Sequence, residues 1–272
     1  MNVTRRLFIG AMAGAALPLR AQGSEDVALQ AAISGQHRSA TNRARDAARH
    51  PYETLRFFGL RATHSVVEVS PGGGWYTEIL APYLRTSGRL YAAGEAADDA
   101  DEERRRSRQR FDEKLAKNPE LYDRVQVGLM PRTAAFTDIA PPGGADVVLT
   151  FRNVHNWIEA GHLDATLQAI AAVLKPGGVL GVEEHRAPPG SSKAWIDKNG
   201  YVPEELLIER AAAAGLALDA RSEINANPRD TKDHPNGVWS LPPTLRGGEV
   251  DKAKYLAIGE SDRFTHRYVK RG

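Results

Sequence analysis

The stretch Val66-Val67-Glu68-Val69-Ser70-Pro71-Gly72-Gly73-Gly74-Trp75-Tyr76-Thr77-Glu78-Ile79-Leu80-Ala81 constrains the fold more than any other part of this chain. Val66, Val67 and Val69 predict a short buried strand. Ser70 to Gly74 predict a turn, and Tyr76, Ile79, Leu80 and Leu84 fall at the spacing of an apolar helix face. Strand, glycine turn and helix in that order form a cradle of nucleotide size. Backbone without Cβ atoms lets a ligand come close, and the first helical turn presents free N–H donors. Glu68, near the end of the strand, can accept a hydrogen bond from a ribose or another hydroxyl. Many α/β proteins place glycine there merely to turn the chain, so the segments that follow decide the matter.

Those segments alternate. Arg89–Ala93, Val125–Leu129, Asp146–Phe151 and Val179–Glu183 read as strands, and residues 75–84, 101–116 and 162–174 read as helices. A further helix runs from Pro203 to Ala214, followed by a strand over Leu216–Ile224 and a last strand over Arg263–Val269. Alternation of this kind implies parallel β-α-β units and an α/β fold. The helix at 101–116 mixes arginines with acids and predicts a solvated face laced with ion pairs. Asn225 to Gly248 is a long polar segment rich in Pro, Gly and Asn. It suits either a lid over a ligand or a surface flap packed by Trp239.

Residues 22–60 predict an N-terminal helical segment ahead of the main domain at 61–272. Pro51 opens a helix that reaches Phe58 and stops at Gly59. Arg38, Arg45 and Arg49 fall on one helical face. The usual meaning of such a face is solvation; the sharper reading is contact with a phosphate or carboxylate.

The first 21 residues are set apart. Thr4-Arg5-Arg6-Leu7-Phe8-Ile9-Gly10 is a twin-arginine pattern, followed by an apolar run from Ala11 to Leu17 and a small-residue exit at Leu19-Arg20-Ala21. The run is far shorter than the ~20 residues a membrane-spanning helix needs. It predicts an export signal of the twin-arginine type, hence a periplasmic or secreted protein with no stable membrane insertion after signal removal. The whole chain carries 36 Lys+Arg against 34 Asp+Glu, a net charge of +2. Loss of Arg5, Arg6 and Arg20 with the signal leaves 33 against 34, or −1. Such a balance gives no electrostatic footprint for nucleic acid or anionic membrane. With no cysteine, disulfides, thiolate metal sites and cysteine nucleophiles are excluded.

The order of these segments resembles class I S-adenosylmethionine-dependent methyltransferases. Glu68-x-Ser70-x-Gly72-x-Gly74 after a strand resembles their first motif, Ala145-Asp146-Val147-Val148 the start of their fourth strand, and Leu174-Lys175-Pro176-Gly177-Gly178-Val179-Leu180 the turn before their fifth. Thr150-Phe151-Arg152-Asn153-Val154 is similar to the Arg-Asn-Val element of quinone-type C-methyltransferases. His37-Arg38-Ser39 and Val154-His155-Asn156-Trp157 are similar to stretches of a group of exported predicted methyltransferases. The likeness spans about residues 50–225. It implies a Rossmann-like, seven-stranded, mostly parallel sheet with helices on both faces and an antiparallel last strand. S-adenosyl-L-methionine would lie across the carboxyl ends of the strands as methyl donor. Glu68, Ser70, Gly72, Gly73 and Gly74 would border it, with Glu95 one residue past the usual ribose acid and Arg152 and Asn153 after the fourth strand. Three positions depart from the family pattern. Ser70 replaces its first glycine, Gly94 stands where an acid normally ends the second strand, and Met130-Pro131-Arg132 stands where an Asp usually follows the third.

Methyl transfer from a sulfonium is an in-line displacement, so the protein mainly aligns the partners and excludes water. A base is needed only when the acceptor, here a small molecule, carries a proton. His155 and His185 titrate near neutrality and are candidate bases, with Glu184 beside them after the fifth strand. Trp157 can stack on a flat acceptor or pack at a helix start, and Asn153 can cap the segment after it. His155, Glu183, Glu184 and His185, with Asp233 and His234, could also ligate a divalent ion. Adjacent strand residues point to opposite faces, however, so Glu183 and Glu184 would not serve one ion, and a metal-free site is expected. Two other readings stay open: a non-catalytic ligand-binding protein on the same fold, and a soluble enzyme with different chemistry at His155 and His185.

Overall fold

The computed structural model describes residues 26–130, 135–136 and 138–272. The export signal at 1–21 and Pro131-Arg132 lie outside the described residues. The described residues open with four short helices, α1 (Val27–Ser34), α2 (Ala40–Arg43), α3 (Asp46–Arg49) and α4 (Pro51–Phe57). Asp26 and Ser39 cap α1 and α2 through their side chains, accepting from the Leu29 and Asn42 amides. Pro51 occupies the first turn of α4, where its missing N–H costs nothing.

Then come β1 (Ser65–Val69), α5 (Thr77–Leu84), β2 (Arg89–Gly94), α6 (Glu102–Lys117), α7 (Pro119–Tyr122), β3 (Val125–Leu129) and β4 (Ala145–Phe151). The second half holds α8 (Val154–Glu159), α9 (Leu163–Val173), β5 (Leu174–His185), α10 (Lys193–Asn199), α11 (Glu204–Ala213) and β6 (Leu216–Ser222). A 3-10 turn (Gly237–Ser240), α12 (Lys252–Ile258) and β7 (Arg263–Lys270) complete it. The seven strands form one sheet, as the resemblance implied, and their order is β3-β2-β1-β4-β5-β7-β6. All neighbours are parallel except β7, which is antiparallel to both β5 and β6.

Two apolar layers enclose the sheet. On one face Val67, Val69, Val148, Leu180, Val182 and Phe264 pack against Trp157 of α8, Leu167 and Ile170 of α9, and Leu207 of α11. On the other Val66, Leu90, Val147 and Leu149 meet Leu29 of α1, Leu55 of α4 and Ile79 and Leu80 of α5. Gly181 is what lets α4 lie so close, since a Cβ there would sit 2.6 Å from the Phe58 ring.

Two expectations need correction. The fifth strand does not end at Glu183: Glu184 and His185 lie inside β5 with it, not in a loop after it. Their backbone pairs with Thr265, Phe264 and Arg263 of β7, which extends the ladder past the apolar residues. The turn at Lys175–Gly178 does bulge out of this strand, since pairing to β4 jumps from Leu174 to Val179. The Arg38, Arg45 and Arg49 face is not solvated: Arg38 and Arg49 are 1% and 3% exposed. Helix α8 occupies Val154–Glu159, a stretch to which the sequence pattern assigns no element.

Candidate functional site

The strand order reverses between β1 and β4, the place where open α/β sheets bind ligands. A cleft of about 800 Å³ opens there, with a smaller hollow of about 190 Å³ beside it. Ser70, Glu95 and Asn153 border both, one from the end of each of β1, β2 and β4. The glycine turn forms the rim of the smaller hollow through Pro71 and Gly72. Ser70 and Gly72 both have φ of +53°, and Gly74 has +70°. For Ser70 this is a left-handed conformation that non-glycine residues adopt at a cost of order 1–3 kcal/mol, a strain found preferentially at functional sites.

Side chains around the rim hold it in place. Ser70 Oγ donates to Met130 Sδ at 2.9 Å. Lys114 of α6 donates to the Gly73 carbonyl at 2.9 Å and to Glu78 at 2.6 Å. Arg108 donates to the Glu95 carbonyl at 2.9 Å. Asn153 stands at the N-cap position of α8, but its side chain makes no capping bond. Its amide donates to the Val69 carbonyl at 3.2 Å and to Thr150 Oγ1 at 3.1 Å, pinning the ends of β1 and β4 together. Among the residues expected at a donor site, Ser70, Gly72, Glu95 and Asn153 therefore border the cavity, and Gly73 and Gly74 belong to its turn.

Glu68 does not border it. Its carboxylate is 2% exposed and accepts from Thr77 Oγ1 at 2.7 Å. Burial raises it to about 7, against the pull of Thr77 and Lys114. The alternation of β1 explains this: Val67 and Val69 face one core layer, so Glu68 faces the other, beneath α5.

Arg152, also left-handed at φ +61°, precedes Asn153 but turns toward the N-terminal helices. Its Nη1 donates to Glu183 at 2.9 Å. Glu183 is fully buried and also accepts from Arg263 at 2.7 Å and from the Tyr76 hydroxyl at 3.3 Å. Arg263 joins Glu183 to Glu260, which in turn holds Arg45 at 2.7 Å and Arg49 at 3.3 Å. Burial would raise Glu260, but Arg49, Arg263 and Arg45 outweigh it and bring the carboxyl down to about 2. Burial, with Arg152 close by, pulls the Arg49 guanidinium down to about 9.

On the opposite face of β5 lies a different group. Glu184 Oε1 accepts from His155 Nδ1 at 3.0 Å and from the His185 amide at 2.8 Å, while Oε2 accepts from the Val154 amide. The two imidazoles stand 5.4 Å apart, and His185 Nδ1 meets Ser261 Oγ at 2.6 Å. Burial and then His155 hold His185 well below the ordinary histidine range, so it is neutral at neutral pH. His155, Glu184 and His185 bring one ligating atom each within 4.8 Å of one another. Glu183 does not join them, as strand alternation requires. Nor do Asp233 and His234: His234 pairs with Asp230 at 2.9 Å, which also accepts from Tyr201. The late segment is accordingly a packed flap, with Asp230, His234 and Ser240 buried.

The three candidate catalytic residues thus come together but do not border the main cleft. Asn156, Trp157, Glu159, Ala160 and His162 border it instead. The signal was in the sequence: Asn153, Asn156, Trp157 and Ala160 recur at helical spacing. His155, 6% exposed, is turned toward Glu184 of β5 and does not border the cleft.

No family model matches the chain, and no curated protein matches it in sequence. Solved structures do match it in shape. A SAM-dependent methyltransferase from Aquifex aeolicus superposes with a TM-score of 0.54 at 17% identity, over 83% of this chain and 92% of that one. The chain has the fold of the class I S-adenosylmethionine-dependent methyltransferases. Geranyl diphosphate C-methyltransferase from Streptomyces coelicolor, solved with S-adenosylhomocysteine, shares this methyltransferase fold at TM-score 0.54 and 12% identity, over 88% of this chain and 87% of its own. So does the cyclase SpnF, at TM-score 0.56 and 16% identity, over 88% and 85%. The methyltransferase fold is therefore what these likenesses carry; the chemistry must be argued from the cleft.

Proposed function

We propose that the protein is an S-adenosyl-L-methionine-dependent methyltransferase acting on a small-molecule acceptor. The observation that carries this reading is the cleft bordered by Ser70, Glu95 and Asn153 at the switch point of a methyltransferase fold. The residues fit the donor. A Cβ on Gly72 or Gly73 would meet nothing within 4 Å, so the turn's backbone faces open space that a ligand can enter. Glu95 supplies a carboxylate one residue past the usual place, at the border of both hollows, where ribose hydroxyls could donate to it. The donor, when bound, supplies an already activated methyl group.

The chain's own task is then alignment. Asn153 holds the strand ends at fixed spacing, and Trp157, 2% exposed, forms a rigid apolar wall that excludes water. Where an acceptor must lose a proton, His162 and Glu159 border the cleft, whereas His155 does not. His155, oriented by Glu184, steadies α8 from behind.

Export through the twin-arginine-type signal is part of the proposal. Among the described residues no helix is long and apolar enough to cross a membrane. A route that carries folded proteins would allow donor bound in the cytoplasm to travel with the chain. Cell fractionation of Arg5→Lys/Arg6→Lys against the unmodified chain tests this, and an unchanged distribution would refute it. A second reading, an exported binding protein that keeps the fold without catalysis, draws on Glu68 being turned inward and on Gly94 ending β2. Calorimetric titration with S-adenosylmethionine and S-adenosylhomocysteine separates the two. Saturable binding that vanishes in Gly72→Val, where φ of +53° disfavours any side chain, supports the methyltransferase. Silence from both ligands in a folded sample supports the binding protein.

A further inference from the structure

The buried cluster beneath the N-terminal helices has too few acids for its bases. Four guanidiniums, from Arg45, Arg49, Arg152 and Arg263, share two carboxylates, Glu183 and Glu260. The neighbouring acids are spent elsewhere: Asp46 makes a two-pronged pair with Arg38 at 2.7 and 2.8 Å, and Glu78 holds Lys114 at 2.6 Å. Among the described residues no third carboxylate reaches the four arginines, which leaves an excess of two positive charges.

The excess is concentrated on groups with unspent donors. Arg49 is 3% exposed, yet its only hydrogen bond to the described protein runs from Nε to Glu260; both terminal nitrogens are left over. Its guanidinium lies 4.6 Å from the centre of the Trp75 ring, which fixes its plane. Arg45 Nη2 is buried with no hydrogen-bond partner among the described residues. Arg152 spends Nη1 on Glu183, and its side chain keeps 18% of its surface open. Each of the four arginines has a carboxylate partner, but two carboxylates neutralise only half of their charge, and charge left over in a buried cluster is unfavourable. An added anion would balance it.

We propose that Arg49, Arg152 and Arg45 form a binding site for an anionic group, a carboxylate or a phosphate, next to the cleft. Planar guanidiniums present paired N–H donors suited to such groups. The place is informative as well. Arg152 directly precedes Asn153, Trp75 and Tyr76 directly follow the glycine turn, and the Tyr76 hydroxyl bonds Glu183. The anion has two possible sources: the amino-acid carboxylate of the methyl donor, or an acidic group on the acceptor. Naming these sources rests on the methyltransferase reading; the anion site itself does not.

The test is thermal melting of the full chain at constant ionic strength, with inorganic phosphate or acetate replacing chloride. A saturable rise in Tm with either anion is expected, because a ligand of the folded state stabilises it. In Arg49→Met the rise should vanish, with apparent affinity weaker by about tenfold or more. In chloride that variant should melt no lower than the parent, since Glu260 keeps Arg45 and Arg263. Arg152→Gln serves as a second variant, with the same loss of anion response expected. No anion-specific rise in the parent chain, or an equal rise in both variants, would overturn the site. So would an Arg49→Met variant that melts lower in chloride while the parent ignores both anions, which is the behaviour of a structural network. Titration of S-adenosylhomocysteine with and without saturating phosphate sorts the source. Competition assigns the donor's carboxylate, and independent binding assigns the acceptor. Absence of S-adenosylhomocysteine binding would count against the methyltransferase and leave the phosphate result standing.

Discussion

Glu183 and Glu184 are consecutive on one strand, and both are fully buried, yet they serve opposite kinds of surroundings. Glu183 faces the layer of N-terminal helices and is surrounded by arginines, with more positive charge than the layer can neutralise. Glu184 faces the layer of α8 and α10 and is met by two backbone amides and a histidine, a set that satisfies it locally. The first arrangement is unfinished without a ligand and the second is closed. A period-two backbone has thus divided one run of polar residues into a candidate binding surface and a piece of scaffold.

Removing each charge separates the two roles. Glu183→Gln would leave Glu260 alone to hold four arginines. Losing one partner of a buried ion network costs about 3–5 kcal/mol, and urea denaturation should show a loss of that size. Glu184→Gln keeps one acceptor oxygen where Glu184 uses two, so one of the two backbone amides loses its acceptor, a cost of about 1–3 kcal/mol by the same measurement. If the two losses were equal, the contrast between the faces would fail.

Glu68 shares the Glu183 face but has no arginine, and its pH response should run the other way. The folded chain holds its proton up to about pH 7, whereas a free carboxyl releases it near 4.5. Folding stability from this group therefore falls as pH rises between those values and levels off above. The full effect is at most about 3 kcal/mol at neutral pH. Glu260, brought down to about 2, contributes stability that is present above pH 4.5 and is lost only as pH falls toward 2. Stability measured in Glu68→Gln between pH 4.5 and 7 should lose the downward slope; an unchanged slope would mean that Glu68 is charged in the folded protein.

The sheet could be read from the sequence because its strands carry the apolar runs and its turns the glycines, and both signals are local. Ser70, Glu95 and Asn153 could be placed for the same reason, since each directly follows a readable strand. What escaped notice depends on distant partners. Polar Glu184 and His185 do not look like a strand until β7, some 80 residues later, supplies its ladder. Arg49 looks like a solvated arginine until Glu260, 211 residues away, is brought beside it. His155 looked like a site residue because β4 leads to the ligand side, but the turn of α8 carries Asn156 and Trp157 to the cleft and His155 away from it.

The central claim is that the hollow between Ser70 and Asn153 takes a sulfonium nucleoside. A crystal structure with S-adenosylhomocysteine at saturating concentration tests it most directly. The account predicts density in the cleft, with the ribose by Glu95 and the amino-acid end by the turn at Gly72. Density elsewhere, or an empty cleft closed over by its own side chains, would contradict it.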